Sequence, residues 1–254
     1  MVIRAEDGFP LAAQVSGLDD GPLLLLLSGQ ANSHDWWTGL REAFEGDFRV
    51  VTFDFRGTGG SRGPVGEWTT AGFADDAAAV LREIGAGAPA SVYGTSMGGR
   101  VAQFLAARHP DLVERLVLAC TSPGGPHAVE RTAEVRRKLA DDGLRGQTLR
   151  ELFYTDGWTG TSHLFGDPTM TLDESRGHLR ASNRHDAWDV LPLIQAPTLV
   201  LHGSDDLMVP TANAPLLARR IPGASLHLHH GGRHGFFDEF EGEIAPVLDS
   251  FLTS

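Results

Sequence analysis

Three polar side chains in this sequence have the types and surroundings that nucleophilic catalysis requires. Ser96 stands between two glycines in the pentapeptide "GTSMG", residues 94–98, after an apolar stretch and before a helical one. A serine hydroxyl is a poor nucleophile at neutral pH, so it needs an imidazole base that a carboxylate orients. His234 lies in the glycine-rich segment "HHGGRHGFF", and Asp205 and Asp206 lie in "LHGSDDLMVP". The chain order of serine, aspartate and histidine is one in which such triads occur.

The glycines around Ser96 predict a strained turn that pushes the serine oxygen outward. A side chain at Gly94 or Gly98 would collide with the neighbouring strand and helix if the turn is this tight. A helix that begins at Met97 would direct its first N–H groups to the same point, where they favour developing negative charge. The alternative is that Ser96 only caps this helix.

Only one of the two adjacent aspartates can face the histidine, because neighbouring side chains leave the backbone in different directions. Asp205 stands where a turn after Gly203-Ser204 would use an aspartate to bond its own backbone. The residue types alone leave both Asp205 and Asp206 open as the orienting acid.

Strands alternate with helices along most of the chain, which predicts an α/β fold with a mostly parallel central sheet flanked by helices. A hairpin is expected around Asp7-Gly8. Apolar runs typical of strands buried on both faces occur at 22–29, 48–57, 90–94, 115–120 and 197–203, and a more polar strand at 225–230. Helical patterns occupy residues 69–85, 97–109, 211–221 and 241–252.

Residues 122–192 break this alternation, because they are polar, mostly helical in pattern and without a convincing buried strand. About seventy residues are too many for a simple crossover between two strands. We therefore expect a helical cap, or lid, inserted into a core domain formed by residues 1–121 and 193–254. Trp158 and Trp188 in the cap either line a substrate pocket or pack the cap itself. Trp36 and Trp37, near the end of the first long strand, either wall an acyl pocket or anchor the next helix.

Charge and composition exclude several classes of function. The formal net charge of −12 argues against nucleic acid or an anionic membrane surface as a partner. The longest apolar run, 23–27, is too short to span a bilayer, and the N-terminus lacks the apolar core of a signal peptide. The single cysteine, Cys120, permits no intramolecular disulfide and is expected to be a buried structural thiol. These features predict a cytoplasmic protein, and they leave its oligomeric state open.

Metal and phosphate sites are weaker alternatives. His227 and His229 have the i, i+2 spacing with which a strand can hold a metal, but the sequence lacks the histidine-aspartate spacing of metallo-hydrolases. The segment "RGTGGSRG" has glycines without the spacing of a phosphate-binding loop, and no lysine lies near it. We expect neither a metal nor another cofactor.

Taken together, the motifs resemble those of α/β-hydrolase fold enzymes, and the resemblance extends from end to end with the cap as the least typical part. The family's G-x-S-x-G corresponds to residues 94–98, its H-G-x-x-D to 202–206, and its G-H-G-F loop is similar to 233–236. The segment "DFRGTGGS", residues 54–61, is similar to the family's loop after the preceding strand. The resemblance implies that Asp206, rather than Asp205, is the orienting acid.

The resemblance also implies an oxyanion hole made of two backbone N–H groups. One would belong to Met97, the residue after the nucleophile, and the other to Gln30. This chain has Ser28-Gly29-Gln30 where the family has a histidine before the glycine. The implied function is a serine hydrolase that cleaves a carboxylic ester, lactone or related small acyl substrate through an acyl-enzyme. A carbon–carbon bond hydrolase, or a cofactor-free perhydrolase on the same triad, and a ligand-binding receptor that kept the fold are the alternatives.

Overall fold

The apolar runs of the sequence form the strands of one eight-stranded sheet in the computed structural model, which describes residues 1–254. The strands are β1 (Val2–Arg4), β2 (Pro10–Gly17), β3 (Leu23–Leu27), β4 (Arg49–Phe53), β5 (Ala90–Thr95), β6 (Val113–Ala119), β7 (Thr198–Gly203) and β8 (Ser225–His229). Their order across the sheet is β1-β2-β4-β3-β5-β6-β7-β8. The pairs that involve β2 are antiparallel and all the others are parallel. The predicted fold class, including the N-terminal hairpin, is therefore confirmed.

Eight α-helices accompany the sheet. They are α1 (Thr70–Gly85), α2 (Met97–Arg108), α3 (Ala133–Ala140), α4 (Arg145–Phe153), α5 (Leu172–Asn183), α6 (Asn213–Arg220), α7 (Phe236–Glu239) and α8 (Glu241–Leu252). The Thr69 hydroxyl caps the start of α1 by accepting the Gly72 N–H at 2.9 Å, and α2 ends just before Pro110. None of these helices is both long and apolar enough to cross a membrane.

The side chains of β3 divide the core into two layers, one on each face of the sheet. Leu25 belongs to an apolar cluster that includes residues of α1, α2 and α6, whereas Leu24 and Leu26 belong to a second cluster that includes residues of α8. All five residues of β3 are buried because neighbouring strands flank it on both sides and helices cover both faces. The carboxyl ends of the parallel strands consequently meet at one edge of a rigid sheet.

The segment between β6 and β7 contains α3, α4 and α5 and no strand. A single isolated bridge, between Gly124 and Asp186, joins its two ends. This agrees with the helical pattern expected for residues 122–192, for which we keep the name cap. That the cap forms a separate domain, with residues 1–121 and 193–254 as the core, remains a prediction.

Candidate active site

The turn at Ser96 has the strain that the sequence predicts. Ser96 connects β5 to α2 with φ +53° and ψ −116°, a conformation that residues other than glycine rarely adopt. A Cβ at Gly98 would overlap the carbonyl oxygen of Leu27, and one at Gly94 would lie 2.5 Å from the Gly98 carbonyl oxygen. The hydroxyl of Ser96 makes no capping hydrogen bond to α2. The capping alternative is therefore wrong, and the prediction that both positions need glycine is confirmed.

A continuous chain of hydrogen bonds joins Ser96 to His234 and Asp206. The Nε2 of His234 lies 3.1 Å from the Ser96 Oγ, and its Nδ1 lies 2.8 Å from the Asp206 Oδ2. Asp205, in contrast, is exposed, and its carboxylate accepts the hydroxyl of Ser204 at 2.7 Å. Of the two adjacent aspartates, the structure thus brings only Asp206 to the imidazole.

The carboxylate of Asp206 is ionised although it is completely buried. Burial by itself raises the pKa of Asp206. The charge of a protonated His234 and the hydrogen bonds from His202 and His234 together outweigh burial, so the pKa of Asp206 lies well below its ordinary value. The Val209 N–H also donates to Oδ1 at 2.9 Å. A carboxylate with these donors holds one tautomer of His234, with the proton on Nδ1 and a free lone pair on Nε2 facing Ser96.

His202 is a buried neighbour of Asp206 for which the sequence alone indicated no role in the site. Its Nε2 lies 3.2 Å from the Asp206 Oδ2 and 2.9 Å from the carbonyl oxygen of Val209. The sequence does contain a signal for this neighbour, because His202 is the first residue of the H-G-x-x-D motif that ends at Asp206.

Two backbone N–H groups lie at the ends of adjacent strands beside Ser96. Leu27 of β3 pairs with Gly94 of the adjacent strand β5. Gln30 follows Leu27 by three residues, and Met97 follows Gly94 by three residues, so both lie just beyond the same edge of the sheet. Met97 is the first residue of α2, so its N–H is among those that have no acceptor within the helix. The Gln30 N–H has no hydrogen-bond partner within the protein.

Residues 28–32, which we call the β3 loop, are held partly by their own side chains. The Ser28 hydroxyl donates to the Asn32 carbonyl at 3.2 Å, and the Asn32 amide donates to the Gln30 carbonyl at 3.0 Å. The histidine that the family has at position 28 is therefore replaced by a serine that bonds inside the loop. The cap supplies further support.

The cap also holds the segment that carries His234. The backbone N–H of His234 donates to the Leu152 carbonyl at 3.0 Å, at the end of α4. The ring of Phe153 stands edge-on to the imidazole, with 4.8 Å between ring centroids, and the exposed Phe165 packs against Phe153 at 5.6 Å. Of the aromatic rings of the cap, Phe153 thus directly contacts the imidazole of His234.

The four tryptophans singled out for the pocket lie in different surroundings. Trp36 and Trp37 are each 1% exposed, and Trp37 packs beneath the sheet against Tyr93, with 5.1 Å between ring centroids. Trp36 covers Gly29 of the β3 loop.

The two cap tryptophans are partly buried. Trp188 is sandwiched between the His127 ring, at 4.2 Å, and the Arg220 guanidinium, at 5.0 Å, while Trp158 stacks on Tyr154 at 3.7 Å. This packing favours the anchoring alternative for Trp37 and the packing alternative for Trp188. A pocket role for Trp36 and Trp158 stays a prediction.

The weaker sequence candidates have structural surroundings of their own. His229 packs on Phe240 at 4.5 Å, and no group of three or more histidine, cysteine, aspartate or glutamate side chains is arranged to hold a metal ion. The loop at residues 54–61 surrounds a buried acid, since Asp54 accepts the N–H groups of His34 at 2.7 Å and Gly60 at 2.8 Å. A carboxylate at its centre makes this loop unsuitable for binding phosphate. Burial raises the pKa of Cys120, so the thiol stays protonated.

Comparison with known proteins gives a consistent result. A family model described as the alpha/beta hydrolase fold matches residues 22–172. The curated protein "Putative carbamate hydrolase RutD" of Caulobacter sp. (strain K31) is 31% identical over 232 residues, covering 85% of this chain and 85% of that protein. A poly(3-hydroxyalkanoate) depolymerase of Ectopseudomonas oleovorans is 31% identical over 228 residues, covering 83% and 77% respectively. A crystal structure of a hydrolase from Pseudomonas aeruginosa PA01 superposes with a TM-score of 0.86 at 27% identity, covering 100% of this chain and 98% of that one.

Proposed function

Because the chain belongs to the alpha/beta hydrolase fold family and is a hydrolase, we propose that it is a serine hydrolase that cleaves a carboxylic ester, a lactone or a related small acyl compound. The observation that carries this proposal is the relay from Ser96 through His234 to Asp206, with distances of 3.1 and 2.8 Å. A serine hydroxyl that a strained turn directs to an imidazole of fixed tautomer is suited to nucleophilic attack.

In the first half of the reaction, the Ser96 Oγ forms a bond to the substrate carbonyl carbon while its proton passes to the His234 Nε2. The carbonyl π electrons move to oxygen, and the N–H groups of Gln30 and Met97 hold the resulting oxyanion. The C–O bond to the leaving group then breaks, and the leaving oxygen takes the proton from His234. The product of this half-reaction is an acyl-enzyme on Ser96 and a free alcohol.

In the second half, water attacks the acyl carbon and gives a proton to His234. The bond from the acyl carbon to the Ser96 Oγ breaks, the serine recovers its proton, and the carboxylic acid leaves. Asp206 stays ionised throughout and stabilises the imidazolium that forms in each half. No cofactor takes part in this scheme.

The substrate class rests on the walls near the relay and on the relatives. Phe153, with Phe165 behind it, supplies an apolar wall beside His234, which suits a small acyl group. The names of two relatives, a carbamate hydrolase and a poly(3-hydroxyalkanoate) depolymerase, both describe the cleavage of acyl–heteroatom compounds. We propose that the cap, residues 122–192, determines which acyl groups fit and excludes water from the site.

A fluorophosphonate probe combined with turnover measurements tests this function. We expect stoichiometric labelling at Ser96, located by peptide mass spectrometry, together with turnover of p-nitrophenyl esters of short chain length. Labelling without any turnover, of esters, lactones, β-diketones or hydrogen peroxide, would indicate a receptor that kept the triad. Cleavage of a β-diketone, or hydrogen-peroxide-dependent peracid formation, in the absence of esterase activity would indicate one of the other two enzymatic alternatives.

A further inference from the structure

The cap forms three hydrogen bonds with the β3 loop, all of them close to Gln30. The Ala31 N–H donates to the Nδ1 of His178 at 3.2 Å, and the Ala31 carbonyl accepts the Asp167 N–H at 2.7 Å. The third contact runs from the Gly166 N–H to the Asn32 side-chain oxygen at 2.9 Å. The residue that follows Gln30 is therefore bonded on both its N–H and its C=O by the cap.

Ala31 needs this support because its backbone is strained. Its φ is +58°, in the left-handed region that a residue other than glycine occupies at a cost of about 1–2 kcal/mol. Such a conformation persists only where the surroundings hold it. The peptide unit between Gln30 and Ala31, which holds the Gln30 C=O and the Ala31 N–H, changes orientation if Ala31 relaxes. The Gln30 N–H belongs to the preceding peptide unit, so the change reaches it through the backbone torsions of Gln30.

The imidazole of His178 has a defined tautomer. Its Nε2 lies 2.8 Å from the carbonyl oxygen of Arg56, which can only accept, so Nε2 carries the proton. Nδ1 is then the lone pair that accepts the Ala31 N–H. The ring is completely buried between Phe55, Trp68 and Phe73, and burial lowers its pKa to about 4. His178 therefore stays neutral and able to accept this hydrogen bond near neutral pH.

The same stretch of the cap is fixed to the core by a second set of bonds. The Asp167 carboxylate accepts the Gly59 N–H at 2.7 Å and lies 3.4 Å from the Arg62 guanidinium. Arg62 also pairs with Glu174 of α5 at 3.0 Å. Residues 166–178 are consequently bonded both to the β3 loop and to the loop at 54–61.

We propose that His178 is a positioning residue for hydrolysis, which holds the β3 loop so that the Gln30 N–H faces the oxyanion that forms at Ser96. The oxyanion hole is then complete only while cap residues 166–178 are docked on the core. This inference rests on the proposed function, because it takes the Gln30 N–H as an oxyanion donor. It makes the cap part of the machinery that stabilises the transition state, in addition to its effect on substrate fit.

Two substitutions at His178 separate its two hydrogen bonds. In His178→Asn, the side-chain oxygen stands near the place of Nδ1 and can still accept the Ala31 N–H. In His178→Gln, the terminal amide reaches toward the Arg56 carbonyl, and the acceptor for Ala31 is lost. Both variants remove a similar ring volume from the same buried site. His185→Gln is the matched control, because His185 is an equally buried cap histidine that bonds Thr70 and Gln103 instead of the β3 loop.

Steady-state kinetics on a p-nitrophenyl ester should separate the three variants. Removing one oxyanion donor costs about 10²–10³-fold in kcat in known enzymes, and displacing one should cost less. We expect His178→Gln to lose about 10–10²-fold in kcat with KM changed less than about threefold. His178→Asn should retain most of kcat, and His185→Gln should lose stability without this selective loss of kcat.

Hydrogen–deuterium exchange supplies a readout that does not depend on catalysis. The peptide that covers residues 28–33 should exchange faster in His178→Gln than in His178→Asn or in His185→Gln. Equal exchange of this peptide in all three variants, or equal losses of kcat in them, overturns the inference. If the wild type neither hydrolyses esters nor labels at Ser96 while the exchange pattern is as expected, the proposed function fails and the hold of His178 on the loop stands.

Discussion

The Nε2 of His202 lies 3.2 Å from the Oδ2 of Asp206, the same oxygen that accepts the Nδ1 proton of His234. The side chains of His202 and Asp206 are fully buried, and the Nε2 of His202 also donates to the Val209 carbonyl at 2.9 Å. The orienting acid is thus supported by a second imidazole that belongs to the strand before it.

Replacing His202 should therefore affect both stability and catalysis. His202→Leu leaves the Val209 carbonyl without its buried partner, which should lower the free energy of unfolding by about 1–3 kcal/mol. It also removes a donor from Asp206, so we expect kcat/KM to fall by about tenfold. His202→Gln, which can keep the donor, should lose less in both measurements, made by urea unfolding and ester hydrolysis. Equal kinetic losses in the two variants would contradict a role for the donor.

Exchange of each adjacent aspartate for asparagine distinguishes the acid from its neighbour. Asp206→Asn can leave His234 in the wrong tautomer, so kcat/KM on an activated ester should fall by about 10²–10⁴-fold. Asp205→Asn should lose little, because the side chain of Asp205 is exposed and accepts a hydrogen bond from the adjacent Ser204. The reverse order of losses would move the acid one residue upstream.

Stability should decrease as the pH is lowered from 7 to 5, partly because of His178. Burial lowers the folded-state pKa of this residue to about 4, although the nearby Glu174 and Asp167 favour its protonated form. The unfolded chain, with an ordinary pKa of about 6.5, therefore binds a proton first as the pH falls, and proton uptake favours unfolding. His178 alone accounts for a loss of about 2 kcal/mol between pH 7 and pH 5, and the loss ceases below pH 4.

The measurement is urea unfolding of the wild type and of His178→Asn at pH 7 and at pH 5. The wild type should lose about 2 kcal/mol more than the variant between these two values. His185, whose pKa is also lowered by burial, is present in both proteins and contributes equally to each. Identical pH dependence of the two proteins would show that His178 is not the group responsible.

Gly98→Ala tests the packing that forces the strained turn at Ser96. The new Cβ would overlap the Leu27 carbonyl oxygen, so β3 and α2 must separate, and we expect a loss of more than about 3 kcal/mol or failure to fold. Gly242→Ala in α8 is the control, since its Cβ would meet nothing within 4 Å and alanine favours a helix. Thermal unfolding should give a melting temperature for Gly242→Ala at or above that of the wild type. A Gly98→Ala protein as stable as the wild type would mean that the turn is looser than described.

The strands and Ser96 could be predicted from the sequence because their signals are local. The leucine run at 23–27 and the glycines around Ser96 act through residues within a few positions of one another. The choice of Asp206 over Asp205 needed a family pattern, because the direction of each side chain depends on the turn that follows β7. The part played by His178 could not be predicted, since it bonds Ala31, 147 residues away in the chain. No periodicity or motif records that two such residues meet.

Turnover by Ser96→Ala tests whether Ser96 is the nucleophile of a hydrolase. The substitution removes one oxygen at a partly exposed position, and unfolding curves can establish that the fold is retained. We expect kcat/KM on p-nitrophenyl esters to fall by at least about 10³-fold and fluorophosphonate labelling to disappear. A folded Ser96→Ala protein that hydrolyses these esters at the rate of the wild type would contradict the assignment of Ser96 as the nucleophile.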